Sequence, residues 1–292
     1  MIKKIALTLL LFGNSINTLH AIQAASLLKK CIKNALYGLS FNAFAILVYT
    51  EIKMQEKTLE KLGDNDPASK LLNKDAKYEP VINELLATYA KDNKMIKIYG
   101  PTAASQFNQD EELKDQLQAY AFNNDRIFVY PLIKKALKNP DHELHVLAKA
   151  CIGHETGHII HKDADKKKLA IGVIAGTTFC IAHKLVNLPI IKMKRYNFLK
   201  IIPALIIKNQ ADVLAFLAYK RKNERDADDH LIKYAKDPAV LHAFAHWCSQ
   251  GADKYDKTLS MRDKLFNSHP SFTERAETFA KAARDLEEKL KK

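Results

Sequence analysis

The segment His154-Glu155-Thr156-Gly157-His158 constrains this chain more than any other stretch of its 292 residues. On a helix, side chains four apart lie about one turn from each other on one face, so both imidazoles can reach a single metal ion. Glu155, one step round the helix, is then placed to act on water beside that ion. Leu147, Cys151, His154 and His158 recur at i, i+4, i+7 and i+11. That stripe predicts one continuous core-facing helix, with Asn139-Pro140 as its N-cap and first-turn proline. Gly153 and Gly157 weaken a helix by about 1 kcal/mol each relative to Ala, a cost explained if something approaches the backbone closely there. The competing reading is an ordinary amphipathic helix with satisfied histidines.

Two histidines are not a site, because catalytic zinc takes three protein ligands and keeps one position open. The longer HExxHxxGxxH pattern is absent, since position 161 is His and position 164 is Ala. Downstream, in Asn223-Glu224-Arg225-Asp226-Ala227-Asp228, a helix would place Glu224, Asp228, Leu231 and Ala235 on one face. Glu224 there completes a His₂Glu set for one Zn²⁺ per chain. Asp228, one turn on, is placed to accept a hydrogen bond from the free ring nitrogen of a ligand histidine. The alternative is a solvated charged face, because Lys222, Arg225, Asp226 and Asp229 are neighbours.

Around these segments the chain reads as α+β and mostly helical. Residues 1–25 form a leader, residues 26–90 a helical N-terminal region, and residues 91–292 the metal-binding domain. Residues 95–99, followed by Gly100-Pro101, read as a short strand and turn; residues 119–122 and 127–130 flank Asn123-Asn124-Asp125 as a hairpin. The edge of this small sheet can accept an extended peptide as an added strand. Residues 162–168 read as a solvated charge run. Residues 169–219 form a hydrophobic helical insertion between the two metal-binding helices, which spans a membrane, dips into it or packs on the protein; membrane contact is favoured. Residues 34–50, uncharged, suit a buried or interfacial helix better than a spanning one.

The net charge of +13 comes from scattered Lys and Arg, without an arginine-rich run or an interleaved aromatic-basic stripe. This argues against nucleic acid as partner and for attraction to anionic lipid. Lys3-Lys4, the apolar run 5–13 and Ala21 make residues 1–25 a secretory signal or, because Leu19 is bulky two residues before Ala21, an uncleaved anchor. The expected location is therefore exported or membrane-associated, on the periplasmic side of a bacterial cell. Cys31, Cys151, Cys180 and Cys248 show no CxxC pairing and suggest neither a metal knuckle nor a disulfide framework.

HETGH, the apolar insertion, NERDAD and His269-Pro270-Ser271-Phe272-Thr273-Glu274-Arg275 together resemble the membrane-associated gluzincin metallopeptidases of the CAAX prenyl endopeptidase, HtpX and BepA type. The resemblance runs from about residue 95 to residue 286. It implies a zincin-like fold in which His154, His158 and Glu224 hold zinc, Glu155 is the general base and Asp228 supports a ligand. It also implies an edge strand carrying Ala121-Phe122, with Tyr120 where an asparagine is frequent. His269 becomes a candidate for stabilising the oxyanion and Arg275 a candidate supporting residue, although His269-Pro270 also suits a helix-entry turn with Ser271 and Glu274 as capping box. The implied activity is zinc-dependent endoproteolysis of protein or peptide substrates, in a role such as protein quality control. The rivals are a non-catalytic membrane scaffold with a structural or vestigial metal site, and a metal hydrolase acting on something other than peptides.

Overall fold

A computed structural model describes residues 69–90, 96–102, 117–122, 124–186, 201–256 and 269–292. The leader, the stretch 34–50 and Cys31 lie outside the described residues.

The chain enters as strand β1 (Ser69–Leu71), a 3₁₀ turn (Leu72–Lys74) and helix α1 (Glu79–Tyr89). Strand β2 (Lys97–Pro101) follows, then the hairpin β3 (Ala119–Phe122) and β4 (Arg126–Val129). Helices α2 (Pro131–Lys138), α3 (His145–Ile160), α4 (Asp163–Val186), α5 (Ile201–Tyr234) and α6 (Pro238–Gly251) come next. A π-helical turn (Ala252–Asp256) and helix α7 (Phe272–Leu290) complete the described order.

The sheet order is β1-β2-β4-β3, with β1 antiparallel to β2, β2 parallel to β4 and β4 antiparallel to β3. Alternation along the strands divides its two faces. Ile98, Ile127 and Val129 enter the main core with α1, α2, α3, α6 and α7, whereas Tyr99, Phe122, Phe128 and Tyr130 form a separate aromatic cluster on the other face. Leu72, Ile82 and Leu85 belong to the same main core.

Three elements differ from the sequence reading, each through a local contact. Residues 69–71, read as helical from composition, form an edge strand. Asn73 secures the neighbouring turn by donating to Ile96 O and accepting from Ile98 N. The HExxH helix starts at His145, not at residue 139. Asn139 instead ends α2, its side chain accepting from Asp141 N in a turn, while the buried His145 ring sits 2.8 Å from Ala136 O and ties the two helices together. Residues 201–219, the last part of the expected insertion, and the NERDAD segment are not separate elements either: α5 runs through both, with Pro203 in its first turn, where the missing N–H is tolerated.

The chain divides into two compact units. One contains the sheet, α3 and the carboxylate-bearing half of α5, with described residues 69–174 and 213–292; the other includes described residues 175–186 and 201–212. In the latter, Lys208 and Asp212 form a fully buried i,i+4 ion pair at 2.5 Å. Among the described residues no helix is long and apolar enough to cross a membrane.

Candidate metal centre

The site begins with a close crossing of α3 and α5. A Cβ at Gly157 would stand 2.9 Å from Ala227 Cα and 3.0 Å from Ala227 O, and one at Gly153 would stand 2.8 Å from Leu231 Cδ1. The two glycines therefore let the backbone of α5 come within reach of the histidines, which is the close approach their helix cost implied. Gly157→Ala meets main chain that no rotamer change can move aside. It is expected to destabilise the fold by about 1–3 kcal/mol and to displace Glu224, weakening metal binding. Chemical denaturation and metal titration of the same variant measure both effects.

At this crossing His154, His158 and Glu224 bring one ligand atom each within 4.8 Å of one another. His154 Nε2 and His158 Nε2 are 3.2 Å apart; Glu224 Oε2 lies 3.5 Å from the first and Oε1 3.6 Å from the second. Donors about 2.0–2.1 Å from a shared centre at tetrahedral angles stand roughly 3.3 Å from each other. The donor set and its spacing therefore fit a zinc-sized ion.

Each of the two histidines has an outer partner. Asp228 Oδ1 lies 2.9 Å from His154 Nδ1. His158 Nδ1 lies 2.8 Å from Asp163 Oδ2. The reading of 162–168 as a solvated run fails at this residue, because Asp163 turns inward.

The electrostatics favour positive charge at the crossing. Burial alone would depress the His154 imidazole, but hydrogen bonding to Asp228 and Glu224 outweighs it and pushes it up to about 10. Burial would raise the Glu224 and Asp228 carboxyls, yet the neighbouring imidazoles, and for Asp228 the Arg275 guanidinium as well, hold both well below the usual carboxylate range. A field that holds a proton this firmly when no cation is present also attracts a divalent cation. Glu155 differs: burial pushes its carboxyl up despite the two histidines beside it.

The model of peptidase family M48 matches residues 93–283, about two thirds of the chain. The chain belongs to peptidase family M48. No curated protein and no solved structure matches it significantly. The matched stretch contains every candidate site residue, from His154 to Arg275. The family is that of metallopeptidases, so this M48 member is a metallopeptidase hydrolase.

Within the M48 domain the remaining candidates fall into place around the ligands. Glu155 Oε2 accepts from Ala121 N at 2.6 Å, so the base candidate is fastened to β3, the last strand in the sheet order. Tyr130 N donates to Gln118 O, which sets Gln118, Tyr120 and Phe122 as the residues whose backbone faces β4 and leaves the Ala119 and Ala121 backbone facing away. The Tyr120 hydroxyl donates to Gln118 Oε1 at 2.7 Å. His269, more than half exposed, places Nδ1 3.1 Å from Glu224 Oε2. Ser271 caps α7 by accepting from Glu274 N, while the Glu274 carboxylate pairs with Arg225.

Arg275 grips both oxygens of Asp228, Nε to Oδ2 at 2.8 Å and a terminal nitrogen to Oδ1 at 2.7 Å. Its guanidinium also lies over the Phe244 ring, and that ring stacks on His154 with centroids 5.9 Å apart. Arg275 thus meets the centre through Asp228. Asp163 and Phe244 are the two contributors the sequence reading missed. For Asp163 the available signal was an acid in the first turn of a helix restarting five residues after His158.

Proposed function

We propose that this M48 metallopeptidase is a zinc-dependent endopeptidase that binds protein substrates as an extended strand along β3. The observation that carries the reading is the convergence of three ligand atoms within 4.8 Å beside a glutamate hydrogen-bonded to that strand. Zinc, when bound by His154, His158 and Glu224, supplies an electrophile that polarises the scissile carbonyl and acidifies water.

The chain's own residues do the rest. The backbone groups of Ala119 and the carbonyl of Ala121, whose N–H is held by Glu155, pair with the substrate strand and set its register across the centre. Glu155 takes a proton from the attacking water as its oxygen bonds to the carbonyl carbon, then delivers that proton to the leaving amine as the C–N bond breaks. Its raised carboxyl affinity for protons suits a group that must accept one. His269 donates to the carbonyl oxygen as negative charge develops there. Asp228, braced by Arg275, holds His154 in the tautomer that presents Nε2.

Within the family, HETGH, NERDAD and the HPSFTER segment support kinship with the CAAX prenyl endopeptidase, HtpX and BepA type. The leader 1–25 and the charge of +13 support an exported or membrane-associated location and lipid contact. Cleavage of an unfolded protein, followed by mass spectrometry of the products, tests the reading. Chelation is expected to abolish internal cleavage and added zinc to restore it. Cleavage that persists in chelator, or products released only from chain ends, contradicts it.

A further inference from the structure

Two local costs coincide where α3 gives way to α4. Lys162 adopts a left-handed backbone, φ 54°, with a side chain that disfavours it. One residue later the Asp163 carboxylate is largely buried, and its Oδ1 has no hydrogen-bond partner among the described residues. A buried unsatisfied acceptor destabilises by about 1–3 kcal/mol. Strain and an under-satisfied carboxylate persist together where the surroundings require the geometry they produce. Here the product is one contact: Asp163 Oδ2 at 2.8 Å from His158 Nδ1.

We infer that Asp163 is a positioning residue for the second metal-ligating histidine, the counterpart of Asp228 on the first. The inference rests on the zinc reading above. His158 Nδ1–H donates to Asp163, so the lone pair on Nε2 is left facing His154 and Glu224. The tight reversal supplies the reach. His161 N bonds Gly157 O, Lys162 N bonds Ile159 O, and the left-handed Lys162 turns the chain so that the first residue of α4 faces back onto α3. The start of α4 is fixed from a second side, where Asn124 of the hairpin turn donates to Asp165 at 2.5 Å. Histidine orientation is thereby linked to the hairpin that carries the substrate edge. The arrangement is asymmetric: Asp228 meets an arginine as well as His154, whereas Asp163 Oδ2 meets His158.

The test uses the full chain, with Asp163→Asn and Asp163→Ala beside Asp226→Asn, an acid of α5 paired outward with Lys222. Zinc affinity is read by chelator competition. The ring tautomer of metal-free His158 is read from ¹⁵N–¹H correlation spectra at alkaline pH, and folding from the thermal midpoint of the metal-free protein. Asp163→Asn and Asp163→Ala are expected to bind zinc about 10–100-fold more weakly than wild type. In Asp163→Ala the His158 ring shifts from the Nδ1–H form towards Nε2–H, while Asp226→Asn matches wild type in every readout. Should Asp163→Ala not fold, the affinity of Asp163→Asn decides. Unchanged affinity, an unchanged His158 tautomer in folded Asp163→Ala, or an equal loss in Asp226→Asn overturns the inference and leaves the zinc reading standing. A wild-type chain that takes up no zinc overturns both.

Discussion

Glu155→Gln is expected to keep its zinc and lose hydrolysis of an unfolded protein by about 10²–10⁴-fold, the range that a positioned acid-base group supplies. The substitution is informative because it separates two jobs of one side chain. The amide oxygen of Gln can still accept from Ala121 N, so the fastening of β3 to α3 survives. What is lost is the capacity to take a proton from water and return it to an amine. Metal content, strand docking and stability should therefore remain close to wild type while turnover falls. Activity within a few-fold of wild type would remove Glu155 from proton transfer.

Arg275→Met should have the largest effect on stability. Arg275 and Asp228 are nearly inaccessible, at 7 % and 8 % side-chain exposure, whereas the neighbouring Arg225–Glu274 pair is half exposed at 54 % and 50 %. Solvent screens the second pair, which contributes about 0–1 kcal/mol. Removing one partner of the buried pair strands a charge and destabilises by about 3–5 kcal/mol. Arg275→Met should thus unfold far earlier in denaturant than Arg225→Met, both measured in chelator so that zinc does not contribute. Combining Arg275→Met with Asp228→Leu should recover much of the stability, because neither charge of this pair is then left buried without the other, but not the zinc affinity, because His154 has lost its partner. Equal midpoints for the two arginine variants would contradict this account of the pair.

The candidate ligand group was legible in the sequence because its members follow local periodicity. HETGH fixes two histidines one turn apart whatever the tertiary fold, and Glu224 and Asp228 share a helical face for the same reason. The glycines announced a close approach without naming its partner, which only the crossing with Ala227 reveals. The β3–β4 hairpin was legible from alternation around three turn-forming residues. The parallel pairing of β2 with β4 was not, since it joins strands nearly thirty positions apart and is settled by the core face that Ile98 and Ile127 share. Residues 69–71 were misread because short edge strands are chosen by their partner rather than by their own propensity. Asp163 was hidden by composition: amid Lys162, Lys166, Lys167 and Lys168 it looks solvated, and only the left-handed turn at Lys162 carries it inward. Phe244 reaches His154 from a helix ninety positions away, a contact that no local pattern encodes.

The central claim is that His154, His158 and Glu224, from two helices about seventy residues apart, hold one zinc ion. Its most direct measurement is the zinc content of purified, dialysed wild type beside His154→Ala and Glu224→Ala, with folding checked by circular dichroism. One zinc per wild-type chain and little or none in either folded variant is the predicted result; a Glu224→Ala protein that keeps a full equivalent with unchanged affinity contradicts it.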